Sequence, residues 1–551
     1  MKILSVLASH DASVAYFVNG KLECFLKEER FSGTKKDGGI IKCVGELIKK
    51  NYDIDTVLIN SVAVHDPYIQ SNLIPWIKKL FDCEIVLMKT EHHLCHAFLA
   101  FEKSKFEESL VVVIDRNGTH HEKVTEVESI FKINKNYDFE TIYKNFVRTT
   151  HIAMQEGGMY LSENLFDMET HQFLKTLNCD VKCDSSCGMT QMYESATALM
   201  GQDIHEAGKT MGLSAYGKNK QYKKLFYEGV VNSHYFFKYF DQEQENDICF
   251  NKDFIDDRTS EITKDNYQFY ADYAYQVQKQ TQEEVLRLVK KYTDKTGIKK
   301  VCLVGGYALN VVCNSFLVKS LPDVEFYFEP IADDTGITIG ASLLYHQRTE
   351  NVIPKIPFDT FFHSFKYDLK NINGELVNEK QIANYLTQGK IVAVFNGQAE
   401  VGPRALGNRS ILFDARDPDA KNKINKVKNR EWYRPFAAIV LEEDSKKYFN
   451  MYHLESSPEM TISFPVISNE IPGVTHIDGT SRIQTVNNSI PHFYNVLNEF
   501  KKLTNVSVLL NTSFNEAGKP LIETPQQAIE TFENTDIDIL WFPEKSIMLT
   551  K

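Results

Sequence analysis

Four successive apolar residues, Val111-Val112-Val113-Ile114, stop abruptly at Asp115. A run this short and this uniformly apolar reads as a buried strand, and its polar tip is a place where chemistry can sit. A similar run, Val301-Cys302-Leu303-Val304, leads into Gly305-Gly306 and a further helix. Strand, Gly-Gly, helix is an arrangement that cradles phosphate or adenosine, because backbone N–H groups and the helix N-terminus can face the anion. Residues 269–292 place Ala274, Val277, Val285, Leu288, Val289 and Tyr292 at helical spacing, with Gly297 beyond the end, which predicts an amphipathic helix. The start reads as strands over 2–8, 12–18 and 21–27, with Asn19-Gly20 as a two-residue turn.

The 551 residues, 43% of them hydrophobic, suit two or more folded domains. A break near 351–372 carries Pro354 and Pro357 and precedes the strand Ile391-Val392-Ala393-Val394-Phe395, so a domain boundary is expected there. The formal net charge of −12 disfavours a protein that coats nucleic acid, and leaves a local basic groove open. No signal peptide and no membrane-length apolar window is read in the chain, so a cytoplasmic protein with reduced thiols is expected. Cys179, Cys183 and Cys187 cluster without the C-x-x-C pairing of a zinc site.

Polar motifs interrupt this frame. His10-Asp11-Ala12-Ser13 is a small polar bend that could hold phosphate or be a plain turn. In Glu91-His92-His93-Leu94-Cys95-His96-Ala97, helical spacing sets His92 and His96 on one face. That spacing suits two ligands of one metal ion, the alternative being a helix with surface histidines. Asp115 and Asp334 are candidate carboxylate ligands, or turn and cap residues. Arg404 and Arg409 sit in a Gly/Pro-rich loop, and Lys428, Arg430 and Arg434 follow among aromatic residues. Five cations near a closely approaching loop suit a phosphate anhydride, which arginine grips bidentately; a solvated basic face is the alternative.

With these motifs in order, the chain resembles the nodulation/tobramycin-type O-carbamoyltransferases nearly end to end. The resemblance rests on His10–Ser13, Glu28-Glu29-Arg30-Phe31, the histidine cluster, the stretches 208–217, 305–310, 400–410 and 476–484, and Asn511-Thr512-Ser513-Phe514-Asn515. Gly397-Gln398-Ala399-Glu400 departs from the family's usual Gly-Arg-Met-Glu.

The resemblance implies an α/β protein (α+β overall) of two fused domains. Residues 1–355 would be an actin/hsp70-like domain similar to the tRNA threonylcarbamoyl transferase. Residues 372–551 would be similar to threonylcarbamoyl-AMP synthase. The second domain would make carbamoyl-adenylate from carbamoyl phosphate and ATP with Mg2+, and the first would pass the carbamoyl group to a hydroxyl. The implied catalytic residues are His10, Arg404, Lys428 and Arg434. The implied cofactor contacts are Arg409, Arg430, Gly305, Gly306, Asn310, Lys209, Asn511, Ser513 and Arg482. The implied metal ligands are His92, His96, Asp115 and Asp334, around a divalent ion such as Fe2+.

Rival classes differ in what they require. A plain actin-like ATPase or sugar kinase has no need of the arginine-rich region after 372. The hydrogenase-maturation carbamoyltransferase carries zinc fingers, whereas no C-x-x-C occurs here. A non-catalytic module has no need of the histidine pair and the arginine set. The expected acceptor is a small hydroxylated molecule such as an antibiotic or sugar. The alternative is the hydroxymethyl group of a modified pyrimidine, 5-hydroxymethylcytosine in DNA, suggested by the aromatic content and by short basic runs such as 218–224. Acceptor specificity is expected in 120–190 and 220–265. No membrane partner is expected, and a homodimer is compatible with the sequence.

Overall fold

The computed structural model describes residues 1–61, 68–121, 124–148, 153–155, 158–160, 168–185, 188–218, 226–227, 230–231, 262–350 and 362–551. Cys187, Pro354, Pro357 and residues 219–224, 232–261 and 351–361 lie outside that set. Contacts divide the chain into two compact units, Asp55–Ile353 and Met1–Ile54 together with Pro354–Lys551. This differs from a single cut near 355–372, because the first 54 residues group with the C-terminal part.

In the unit Asp55–Ile353 the strand Glu108–Ile114 is buried at every position after its first. It pairs antiparallel with Val124–Asn134 on one side and parallel with Lys300–Val304 on the other. Glu325–Phe328 continues the parallel part, and Phe139–Arg148 and Asp180–Ser185 extend the other edge. An antiparallel triplet joined to a parallel pair is the mixed sheet that the actin/hsp70-like reading expects. Parallel strands open their carboxyl ends on one edge, where ligands of α/β sheets gather. Here those ends lead into Asp115, Gly305 and the loop that reaches Asp334.

Two helices bring further polar groups to that edge. His92–Ser104 begins at the histidine cluster, and Ile337–Glu350 follows the short turn Asp334–Gly336. They approach backbone to backbone: a Cβ on Gly340 would overlap the Cys95 carbonyl oxygen. The predicted amphipathic helix forms over Tyr267–Thr296 and ends at Gly297 in the left-handed region, with its predicted apolar positions buried.

The other unit opens with the antiparallel strands Lys2–Leu7, Ser13–Val18 and Lys21–Lys27, as the turn signal predicted. Its second part holds a nine-stranded mixed sheet. In that sheet Ser410 faces Ser513, Leu412 faces Asn511, Ala437 faces Asn511 and Ile439 faces Gln484. Directly paired residues share a face and side chains alternate along a strand. Ser410, Arg482, Gln484, Asn511 and Ser513 therefore lie on one face, and Arg409 lies on the other. No helix among the described residues is long and apolar enough to cross a membrane.

Candidate functional site

Two polar centres emerge, one in each unit. In the unit Asp55–Ile353, one ligand atom from each of His92, His96, Asp115 and Asp334 lies within 4.8 Å of all the others. His92 Nε2 is 3.2 Å from Asp115 Oδ2 and 3.4 Å from Asp334 Oδ1, and His96 Nε2 is 3.5 Å from Asp334 Oδ1. All four residues are buried, which removes the surface-histidine alternative. Burial alone would lower the His92 pKa, but the carboxylates of Asp334 and Asp115 raise it to about 10. Burial and Asp334 push Asp115 up, and the His92 hydrogen bond with the charges of His96 and His92 hold it below its ordinary value.

Neither ring nitrogen of His96 has a hydrogen-bond partner among the described residues, although the ring is fully buried. Such atoms are costly to leave unsatisfied. Two imidazoles and two carboxylates converging on one point, with unfilled nitrogen lone pairs, fit a divalent first-row metal ion.

Gly305 and Gly306 support this centre. The Gly306 N–H donates to Asp115 Oδ1 at 2.9 Å, and Gly305, at φ 89°, leaves no room for a Cβ against the Ile114 carbonyl. That N–H, expected to face a nucleotide, instead orients a candidate metal ligand. Asn310, also expected to contact the nucleotide, is a helix cap: its Oδ1 accepts from Cys313 N, and its Nδ2 donates to Gln278. Lys209 pairs with Glu206 at 2.8 Å and donates to Gln202. The Asn310 cap and the Lys209–Glu206 pair are local, three residues apart in sequence, whereas the Gly306–Asp115 bond spans 191 residues and is set by the tertiary fold.

The second centre is cationic and lies in the unit containing residues 354–551. Burial comes first, and then the charges of Arg404, Arg430 and Arg434, in holding the Arg482 pKa well below its ordinary value. Burial and Arg434 bring Arg430 down to about 9. Burial, then Arg430 and Arg434, also depress Lys428, whose Nζ donates to Ser513 Oγ at 3.2 Å and Asn515 Oδ1 at 2.9 Å. Glu431, 3.5 Å from Arg434, offsets part of the repulsion at Arg430. Cations held together against their own repulsion form a site for a polyanion.

The loop that carries Arg404 is fixed through its backbone. Glu400 Oε1 accepts from the N–H groups of Leu406, Gly407, Asn408 and Arg409. Asn511 donates to the Ala405 carbonyl, Gln484 donates to that of Leu406, and His492 Nε2 lies 2.8 Å from that of Gly407. Glu400 and Gln484 belong to quoted motifs, yet sequence reasoning gave them no role. Alternating polarity in Arg482-Ile483-Gln484 was the available signal for Gln484. The buried Asn511 Oδ1, Gln484 Oε1, Arg482 Nε and Ser410 Oγ have no hydrogen-bond partner among the described residues, so this face retains unused donors and acceptors.

Arg409 corrects an expectation. It donates to the carbonyls of Asn396, Gly397, Asn408 and Glu523, and its guanidinium stacks 3.6 Å over Phe395. Burial, only partly offset by Glu523 and Glu400, lowers its pKa to about 10. Arg409 braces the opposite face of the sheet from Ser410.

At the His10 bend, His10 Nδ1 is 3.3 Å from Asp11 Oδ2, and Lys36 Nζ donates to the same oxygen at 2.5 Å. The sequence reading passed over Asp11 and Lys36 as partners of His10. Of the acceptor region, Tyr235–Phe240 lies outside the described residues, as does the run 218–224 after Lys218.

Models of the carbamoyltransferase N-terminus and C-terminus match residues 47–343 and 383–549. The chain belongs to the carbamoyltransferase family. It is 29% identical over 479 residues to nodulation protein NolNO of Sinorhizobium fredii, a match that covers 81% of this chain and 62% of that protein. It is 29% identical over 480 residues to nodulation protein NolO of Bradyrhizobium diazoefficiens, covering 81% and 76%. Among solved structures it is similar to T. kodakarensis HypF, with a TM-score of 0.40 and 13% identity over 65% of this chain and 49% of that one. The family makes the chain a transferase of carbamoyl groups.

Proposed function

We propose that the chain is an O-carbamoyltransferase that activates the carbamoyl group with ATP before transferring it. The observation that carries this reading is the cationic centre, where Arg404, Lys428, Arg430, Arg434 and Arg482 converge closely enough to depress one another. A plain actin-like ATPase has no use for it.

The chemistry follows from what each centre lacks. Water splits carbamoyl phosphate into carbamate and phosphate. Carbamate oxygen then attacks the α-phosphorus of ATP, the bond to the β-phosphate breaks, and pyrophosphate leaves. Charge builds on both phosphate groups, and the preorganised guanidinium groups stabilise it. The mixed anhydride gives the carbonyl a good leaving group. The acceptor hydroxyl attacks, AMP departs, and the proton passes to a base. His10, oriented through Nδ1 by Asp11, is the candidate base.

His92, His96, Asp115 and Asp334 would hold a divalent ion such as Fe2+, which would supply a Lewis acid for phosphate or carbonyl oxygen. Mg2+ would accompany ATP. The acceptor is proposed to be a small hydroxylated molecule. The reading is tested by incubating the protein with ATP, Mg2+ and carbamoyl phosphate. Pyrophosphate release that depends on carbamoyl phosphate is expected; ATP cleavage to ADP alone would overturn it.

A further inference from the structure

The segment Lys27-Glu28-Glu29-Arg30 puts four charges in a row, and Lys27, Glu28 and Arg30 are each no more than 3% exposed. Buried charges are kept only where they are paired or hydrogen-bonded. The partners of this run point in two directions within the unit that contains it.

Towards the cationic centre, Arg30 donates to the Val401 carbonyl at 3.4 Å and the Gly402 carbonyl at 3.2 Å, immediately before Pro403 and Arg404. Its other terminal nitrogen is 3.7 Å from Glu523, whose backbone carbonyl also receives Arg409. The Arg30 carbonyl accepts from Gln527 at 3.0 Å. Towards the bend, Glu29 Oε2 accepts from the Lys36 N–H at 3.1 Å, and Glu29 Oε1 is 3.4 Å from Lys27 Nζ. Lys36 then reaches Asp11, the neighbour of His10. The Glu28 N–H donates to the Ala12 carbonyl, and the Glu28 carboxylate accepts from the N–H groups of Lys42 and Cys43 at the start of the next helix.

We infer that Lys27–Arg30 is a bracket that holds the Arg404 loop and the His10 bend in one register, with Arg30 as a positioning residue for the activation step. The inference deepens the proposed function and rests on it. Other groups fix the loop from Ala405 to Arg409, and Arg30 fixes the remaining side at Val401 and Gly402. One guanidinium nitrogen reaches both carbonyls while the other faces Glu523, a span that a single lysine ammonium does not reproduce in the same geometry.

The test uses the full chain and follows pyrophosphate release from ATP with carbamoyl phosphate. Arg30→Gln is expected to raise the KM for both substrates by roughly 10- to 100-fold, with Arg30→Lys recovering only part of the loss. In an Arg404→Lys background the same change is expected to cost less than about 3-fold, because the two residues act through one loop. Isotope-labelled histidine, with His10 assigned by His10→Asn, is expected to show the His10 resonance displaced in Arg30→Gln. Unchanged KM values with only a lower melting temperature would overturn the positioning role. An equal loss in both backgrounds would overturn action through Arg404, and an unmoved His10 resonance would overturn the link to the bend. If the unaltered chain releases no pyrophosphate, the activation reading fails instead, and the His10 resonance still decides whether the bracket joins the two regions.

Discussion

The two centres are opposite in sign and alike in logic. The histidine–aspartate cluster gathers ligand atoms suited to a cation. The arginine–lysine face gathers cations suited to an anion. In each, burial works against the charge of the groups present. A folded chain tolerates such strain where a ligand relieves it, so unbalanced charge is better evidence of function than charge itself. Glu128 is the useful contrast: a buried carboxylate that accepts from the Met189 N–H and Asn145 Nδ2, where burial outweighs these bonds and the charge of Lys182.

The sharpest way to break the comparison is to remove one cation. Arg482→Ala should lower pyrophosphate release by about 100- to 1,000-fold, as expected when one preorganised donor to a charged transition state is lost. Undiminished release would show that the cationic face is not the activation site.

Glu128 supplies a control for burial without a ligand. Burial raises its pKa from 4.5 to about 7, outweighing the two hydrogen bonds that lower it. A folded-state value above the unfolded one means that its stabilising contribution is complete below about 4.5 and is lost as pH rises through 7. Denaturant melts should therefore show the original chain losing about 3 kcal/mol over that window relative to Glu128→Gln. Parallel curves for the two proteins would contradict the raised value.

The smallest effect is expected at Lys209. It is paired with Glu206 and Gln202, so Lys209→Met should change the KM for ATP by less than about 3-fold. A large rise in KM would restore it as a nucleotide contact.

These contrasts show where sequence reading succeeds. Periodicity placed His92 and His96 on one helical face, and the uniformly apolar run put Asp115 at a strand tip, because both depend on local geometry. Asp334 reaches them only because Gly340 lets two helices touch, which spacing alone does not announce. Arg409 starts a strand on the opposite face from Ser410, a difference of one residue in parity that sequence spacing does not announce. Asn310 caps the helix that begins at Val311, a local signal, while the partner of Gly306, Asp115, is set by tertiary packing. The contacts of the N-terminal segment with Val401 and Gly402 lie hundreds of residues away, beyond what sequence spacing announces.

The most direct test of two independent, oppositely charged centres is one protein measured twice. The His92→Ala/His96→Ala double variant should be assayed for bound divalent metal by elemental analysis and for pyrophosphate release from ATP with carbamoyl phosphate. Two separate centres predict that the metal present in the original chain is lost while pyrophosphate release stays within about 3-fold. Metal content unchanged in the variant, or pyrophosphate release lost along with the metal, would contradict the account.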